Sequence, residues 1–145
     1  MSTIQKQASM PYSQEQMYEL VNDIEAYPDF LPSCAKAVIL SKNDDYIEAE
    51  VEFTKGPIRL SWKSKNTLKA PSSIKMLCNE GVFSNLEGKW EFKRLDTSSC
   101  HVSFDLKYEF ANKLLSLSLS PILQASINSM VDVFQKRAEH IYGKN

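Results

Sequence analysis

The chain has 145 residues, of which 43% are hydrophobic and 24% are charged, and its formal net charge is −1. This length favours a single domain, residues 1–145, that can bury a sizeable core. The near-neutral charge provides no overall field for DNA, RNA or an anionic membrane, so any such contact would depend on a local patch. No apolar run approaches the ~20 residues that cross a bilayer. The N-terminus lacks a signal-peptide core, so a cytoplasmic location is expected.

The three cysteines and two histidines form no metal-binding or catalytic pattern. Cys34, Cys78 and Cys100 are odd in number and widely spaced, which favours reduced, mostly buried thiols over a zinc site or a disulfide framework. His101 lies on the polar face of a predicted strand, and His140 lies near the end of a predicted helix. Neither has a carboxylate or nucleophile arrangement close in sequence. No catalytic residue, metal ligand or required cofactor is therefore predicted.

The N-terminal part of the chain predicts a strand followed by two short helical segments. Weak alternation over residues 3–10 is typical of a strand. Ser13 and Gln16 form a capping box, which predicts that a helix begins there. Pro28 and Pro32 follow that helix closely. Because proline disrupts a helix interior, this segment is expected to form one short helical turn and a loop.

From residue 34 onwards, apolar and polar residues alternate, which predicts an antiparallel meander with one dry face. The predicted strands are Ala35–Leu40, Tyr46–Thr54, Ile58–Leu68, Ile74–Cys78, Leu86–Lys93 and Cys100–Phe110. Ile58 and Trp62 are expected to point inwards. On the outer face, either plausible hairpin register sets Glu48 or Glu50 opposite Lys63. Two independent signals, apolar alternation and charge pairing, thus indicate the same hairpin.

The C-terminal part predicts one long amphipathic helix over Pro121–Tyr142. Ser120 is typical of an N-cap, Pro121 of a first helical residue and Gly143 of a helix end. At ~1.5 Å per residue the helix would be ~33 Å long, enough to cross the whole sheet.

The relative widths of sheet and helix predict the fold and a cavity. Strands at ~4.8 Å spacing make a sheet ~30 Å wide, whereas a helix with its side chains is ~10–12 Å across. The sheet must therefore curl around the helix, and apolar space that the helix does not fill is a candidate ligand cavity. The expected class is α+β, with a curled antiparallel sheet of about seven strands wrapped around a long C-terminal helix and two short helices after the first strand.

Four segments of the chain carry recognisable motifs: Val21–Cys34, Phe83–Phe92, Phe110–Leu114 and Met130–Ala138. Together they resemble a START-like family of coenzyme-Q-binding and polyketide-cyclase-like proteins, whose bacterial branch is the ribosome-association toxins. Val21–Cys34 is similar to its V-x-D-[VI]-x-x-Y-P-x-F-L-P-x-C segment, and Phe83–Phe92 to its strand F-x-x-L-x-G-x-W-x-F. Phe110–Leu114 and Met130–Ala138 are similar to its last strand and helix. The chain departs from the family at Val82, where proline is usual, and at Ser120-Pro121, where the family has a glycine-containing helix entry. The resemblance implies a helix-grip fold of the START/Bet v 1 type.

The resemblance also implies two functions. Eukaryotic members bind an isoprenoid quinone and support respiration, whereas the bacterial relatives are similar to a toxin that binds the large (50S) ribosomal subunit and blocks its joining with the small one. Our first hypothesis is non-enzymatic binding of a lipophilic ligand, with ubiquinone as the candidate. Ribosome association is the alternative, and a polyketide cyclase or aromatase is a more distant third. Association with a membrane or with ribosomes is compatible with these functions.

The residues predicted to line the cavity are large apolar side chains of the dry face, the proline-containing loop and the C-terminal helix. They are Tyr27, Phe30, Leu31, Val51, Phe53, Trp62, Phe83, Trp90, Phe104, Met130 and Phe134. Pro28 and Pro32 are expected to rigidify its entrance. Periodicity alone favours a plain core for these residues, and the width argument favours a cavity. On the outer face, basic residues such as Arg59 and Lys65 alternate with glutamates, which favours a solvated, ion-paired surface over an RNA-binding stripe.

Overall fold

A seven-stranded antiparallel sheet forms the body of the computed structural model, which describes residues 2–143. The strands are β1 (Ser2–Met10), β2 (Cys34–Lys42), β3 (Tyr46–Lys55), β4 (Ile58–Lys69), β5 (Ser73–Cys78), β6 (Phe83–Asp96) and β7 (Ser99–Phe110). Their order in the sheet is β1-β7-β6-β5-β4-β3-β2. The helices are α1 (Gln14–Asn22), a 3₁₀ helix (Ile24–Asp29), α2 (Lys113–Asn128) and α3 (Met130–Tyr142). The predicted α+β helix-grip architecture is confirmed.

The two short helical segments after β1 lie where the sequence predicts them. Ser13 Oγ accepts a hydrogen bond from the backbone N–H of Gln16 (3.1 Å), and Gln16 Oε1 accepts one from the backbone N–H of Ser13 (2.9 Å). This capping box satisfies donors that the first turn of α1 would otherwise leave unpaired. The chain then enters the 3₁₀ helix, which contains Pro28 and ends at Asp29.

The β3–β4 hairpin has one of the two registers that the sequence allows, but a different ion pair. Glu50 lies opposite Lys63 across the hairpin, yet its carboxylate binds Lys36 Nζ of β2 at 3.0 Å. Ile58 shares the inner face of β4 with Leu60 and Trp62, as predicted, but remains 38% exposed. Ile58 is the first residue of β4 and pairs with Lys55 beside the turn, at the end of the sheet where the core no longer covers it.

The predicted start of the C-terminal helix at Ser120 is wrong. α2 begins at Lys113, and Asn112 is its N-cap, with Oδ1 accepting a hydrogen bond from the Leu115 backbone N–H at 2.9 Å. Pro121 consequently lies inside α2. A proline there lacks an N–H for the carbonyl four residues earlier, so the helix continues past it with one backbone hydrogen bond missing.

The predicted single helix is also interrupted. The axes of α2 and α3 are bent by 44°, and Ser129 lies between them. Its hydroxyl donates to the carbonyls of Ala125 (3.4 Å) and Ser126 (3.3 Å). Bonds of this kind compete with the helical ladder and bend helices. The bend allows the helical layer to follow the curled sheet.

No single helix in residues 2–143 is long and apolar enough to cross a membrane, although the bent pair α2 and α3 together reaches the required length and apolarity.

The core lies between the dry face of the sheet and the helices. One position on that face requires glycine. A Cβ on Gly88 would come within 2.6 Å of Met76 Cε and 3.4 Å of Leu106 Cδ1. The missing side chain therefore makes room for Met76 of the neighbouring strand β5.

The helix boundary can be tested by removing each of the two candidate N-caps. Asn112→Ala is expected to lower the free energy of unfolding by about 1 kcal/mol, because the N-cap hydrogen bond is lost. Ser120→Ala is the matched control and is expected to change it by less than about 0.5 kcal/mol. Urea denaturation followed by circular dichroism measures both. A larger loss for Ser120→Ala would contradict the observed start of α2.

Candidate ligand cavity

An internal cavity of about 50 Å³ lies between the dry face of the sheet and the C-terminal helices. Its walls come from β3 to β7, the 3₁₀ helix, Leu31 in the loop that follows it, α2, and the first residue of α3. The lining residues are Ile24, Tyr27, Leu31, Ala49, Val51, Phe53, Trp62, Ser64, Asn66, Met76, Trp90, Phe104, Leu123, Ser126, Ile127 and Met130. None of these side chains is charged, so the cavity is an apolar space with a few neutral polar groups.

Most residues predicted to line a cavity lie around this one. Those that do are Tyr27, Leu31, Val51, Phe53, Trp62, Trp90, Phe104 and Met130. The remaining three, Phe30, Phe83 and Phe134, form a layer behind the walls. The ring of Phe134 lies 5.3 Å from Trp90, and that of Phe83 lies 5.5 Å from Trp62, both in edge-on contact. Aromatic pairs in this arrangement hold the lining rings in place.

Sequence reasoning missed about half of the lining. The residues it did not select are Ile24, Ala49, Ser64, Asn66, Met76, Leu123, Ser126 and Ile127. Most of them occupy predicted dry-face or helix-face positions, so alternation identified the correct side of each element. It could not rank positions by depth, because residues that fill the core and residues that border a void share the same periodicity.

Four side chains of β4 and α2 with polar atoms interrupt the apolar lining. Asn66 of β4 is only 5% exposed, and its Oδ1 accepts a hydrogen bond from Ser64 Oγ at 2.9 Å. Trp62, also on β4, has a buried indole Nε1 without a hydrogen-bond partner among residues 2–143. Ser126 lines the cavity from α2 on the other side. The polar atoms are therefore concentrated along one strand.

The cavity is small for a lipid. A single water needs at least ~10–15 Å³ of such space, so about 50 Å³ holds a few waters. A surface groove of about 110 Å³ lies next to it, lined by residues that include Pro32, Ser33 and Ser126. Since Ser126 borders both spaces, this part of α2 forms a wall between them. The other predicted entrance residue, Pro28, is exposed and lines neither space.

Ionisable side chains near the core are held neutral. The Tyr27 hydroxyl donates to the Val21 carbonyl, and burial raises the pKa of this phenol, with smaller contributions from Cys34 and Asp23. Burial likewise raises the pKa of the Cys100 thiol to about 11, with a smaller contribution from Glu15. No group of three or more His, Cys, Asp or Glu side chains within residues 2–143 is placed to hold a metal ion.

The curled antiparallel sheet, the C-terminal helices packed over it and the cavity between them define a helix-grip protein of the START type. A START superfamily protein from Mycobacterium smegmatis superposes with a TM-score of 0.79 at 16% identity, over 96% of this chain and 98% of that one. The Zhui aromatase/cyclase from Streptomyces sp. R1128 superposes with a TM-score of 0.83 at 14% identity, over 95% and 93%. At these identities the likeness concerns the fold alone.

Sequence comparison identifies the family. The chain belongs to the polyketide cyclase / dehydrase and lipid transport family, whose model matches residues 10–135. It is 36% identical to the ribosome association toxin RatA of Pseudomonas aeruginosa, over 99% of this chain and 100% of that one. It is 28% identical to the mitochondrial coenzyme Q-binding protein COQ10 of Dictyostelium discoideum, over 94% of this chain and 68% of that one. Of these two relatives, the RatA protein is the more similar.

The buried thiols provide a test of the core. Cys34, Cys78 and Cys100 are all buried, and burial raises the pKa of each thiol. Because the thiolate is the reactive form, all three are expected to react very slowly with Ellman's reagent at pH 8 in the folded protein. In guanidinium chloride all three should react at once. Rapid reaction of one thiol before unfolding would contradict the described packing around that cysteine.

Proposed function

We propose that this protein binds a lipophilic guest, without chemical turnover, in the cavity between the sheet and α2. The observation that carries the proposal is an internal void whose lining is apolar except for a few neutral polar groups on β4 and α2. Transfer of apolar surface from water into such a site contributes about 25 cal/mol per Å². Ubiquinone is the candidate guest, because one group of relatives is named for binding coenzyme Q. The isoprenoid tail of ubiquinone is apolar, as are most of the side chains that line the cavity.

The chemistry of the lining favours binding over catalysis. General acid–base catalysis needs a side chain that exchanges protons near the working pH, within hydrogen-bond reach of the substrate. The Tyr27 hydroxyl is committed to the Val21 carbonyl, and its raised pKa keeps it protonated. His101 binds Ser9 and Gln7, at 3.0 and 2.9 Å, on the outer face of the sheet. A cyclase or aromatase function would need polar groups that this cavity does not contain.

Entry of the guest requires α2 to move. The cavity of about 50 Å³ is far smaller than an isoprenoid chain, so the guest must displace part of its wall. The 44° bend at Ser129 separates α2 from α3 and provides a hinge. Ser126, one turn before the bend, lies between the cavity and the surface groove at Pro32. Displacement of this turn would join the two spaces.

Narrowing the cavity is expected to weaken binding of the guest. Ala49 lines the cavity, and Ala49→Val adds two methyl groups there. Adding methylenes where space is limited costs about 1–3 kcal/mol, which corresponds to roughly 5- to 150-fold weaker binding. Ala37→Val is the matched control, since Ala37 is buried on the neighbouring strand β2 but does not line the cavity.

Tryptophan fluorescence measures this binding directly. Trp62 and Trp90 both line the cavity, so titrating the delipidated protein with a short-chain ubiquinone should quench their emission. Mass spectrometry of an extract from the untreated protein should identify a co-purified lipid that the delipidated sample lacks. Equal affinities of the wild type and Ala49→Val, or identical extracts from both preparations, would count against the cavity as the binding site.

We also propose, as a second function, that the protein associates with the large ribosomal subunit and blocks its joining with the small one. The supporting observation is the 36% identity to a protein named as a ribosome association toxin, over essentially the full length of both chains. A ribosome-facing surface and an internal cavity occupy different parts of the molecule, so the two functions are compatible. Because the net charge is −1 and outer-face lysines such as Lys36 and Lys89 are paired with glutamates, the contact must be local.

Sedimentation separates this second function from the first. Overproduction in a bacterial host is expected to raise the fraction of free subunits at the expense of joined ribosomes, with the protein co-sedimenting with large subunits in a sucrose gradient. Ala49→Val should behave like the wild type in this assay, because it changes only the interior. An unchanged gradient profile, with the protein remaining at the top, would eliminate the ribosomal function and leave the binding function standing.

A further inference from the structure

Strand β4 presents an unusual run of polar side chains to an apolar interior. Trp62, Ser64 and Asn66 are spaced two residues apart, so all three point to the dry face, and all three line the cavity. Nearly all buried polar atoms in proteins have a hydrogen-bond partner. On this strand the buried indole Nε1 of Trp62 has no partner among residues 2–143, which marks β4 as the place where the cavity is chemically incomplete.

The Asn66 side chain has donors to spare. Ser64 Oγ donates to Asn66 Oδ1 at 2.9 Å, which orients the amide and leaves both N–H groups of Nδ2 available. Within residues 2–143, Nδ2 has no hydrogen-bond partner, although Asn66 is only 5% exposed. The buried indole N–H of Trp62 is a second donor without a partner on the same face. The strand therefore presents N–H donors, on Trp62 and Asn66, to an oxygen atom of a guest.

We propose that Asn66, oriented by Ser64, recognises the guest by donating a hydrogen bond to an oxygen of its head group. The ligand class is a neutral lipophile with a carbonyl-type acceptor, such as a quinone, a ketone or an ester. This inference rests on the proposed binding function and adds to it the position and the chemistry of the head-group contact. The apolar tail of the guest would pack against the cavity walls, and its head-group oxygen would accept a hydrogen bond from Asn66 on β4.

The lining also selects against charged head groups. It contains no lysine, arginine or histidine, so a carboxylate or phosphate placed there would have no counter-charge. A buried ion without a partner is strongly disfavoured, whereas a neutral carbonyl needs only a donor. Fatty acids and phospholipids of similar chain length are therefore poor guests for this cavity.

The residue beside Asn66 can adapt to a head group. Met76 lies opposite Asn66 in the β4–β5 register, and its Cε lies over Gly88, where a Cβ would come within 2.6 Å. Methionine has three rotatable bonds and fills irregular gaps. Met76 Cε already fills the space over Gly88, so it is rotation about the Met76 side-chain bonds that would leave room for an oxygen-bearing ring next to Asn66.

The test compares three probes in the wild type and in Asn66→Leu, which keeps similar size but has no donor. The probes are a short-chain ubiquinone, an isoprenoid hydrocarbon and an isoprenoid carboxylic acid of matched length. The wild type is expected to bind the quinone best. In Asn66→Leu, affinity for the quinone should fall about three- to tenfold while affinity for the hydrocarbon is unchanged, as expected for one lost neutral hydrogen bond.

Two further variants keep the test decisive. Thr67→Leu changes the next residue of β4, on the outer face, and should alter no affinity. Ser64→Ala frees the Asn66 amide to rotate and should lower affinity for the quinone about threefold. If circular dichroism shows that Asn66→Leu is not folded, this variant tests the inference in its place. Equal loss for quinone and hydrocarbon, or tighter binding of the acid, would overturn the head-group inference alone. Failure of all three probes to bind the wild type would instead remove the proposed binding function on which it rests.

Discussion

The structure depends on one constraint: a wide apolar sheet must be covered by a narrow helical layer. Seven strands at ~4.8 Å spacing are about three times as wide as one helix. The molecule resolves this mismatch by curling the sheet, by bending the helical layer through 44° at Ser129, and by filling most of the remaining space with aromatic rings. The cavity of about 50 Å³ is the part that these three adjustments leave unfilled.

The two C-terminal helices are held differently, which bears on how the cavity opens. Two hydrogen bonds hold the end of α3 to the N-terminal region. The Tyr12 hydroxyl donates to the Gly143 carbonyl at 2.8 Å, and the Tyr142 hydroxyl donates to the Gln16 carbonyl at 3.0 Å. Leu114 and Leu117, in the first turns of α2, are 75% and 69% exposed. Since α2 forms fewer hydrogen bonds of this kind, movement that admits the proposed guest should occur in α2 while α3 stays in place.

The two proposed functions, lipid binding in the interior and ribosome association at the surface, place different demands on the chain. The interior needs apolar depth and a few donors, which Asn66 and its neighbours on β4 supply. The exterior needs only a surface of suitable shape and charge, and substitutions inside the cavity leave that surface unchanged. This separation explains how relatives with one fold can carry names that refer to ribosomes in one case and to coenzyme Q in another.

The sequence by itself determined the strands, the capping box at Ser13 and the family, because these follow from alternation, local chemistry and motif spacing. It narrowed the β3–β4 hairpin to two registers, and the structure selects the one with Glu50 opposite Lys63. The sequence predicted the helix start at Ser120, whereas the helix begins eight residues earlier in the chain with Asn112 as its N-cap; both are residue types that favour N-caps, and packing against the sheet decides which one is used. The break at Ser129 and the division of aromatic residues into lining and backing layers were likewise decided by the tertiary structure. Periodicity reports which side of an element is dry, whereas depth, bending and unpaired donors depend on what packs against that side.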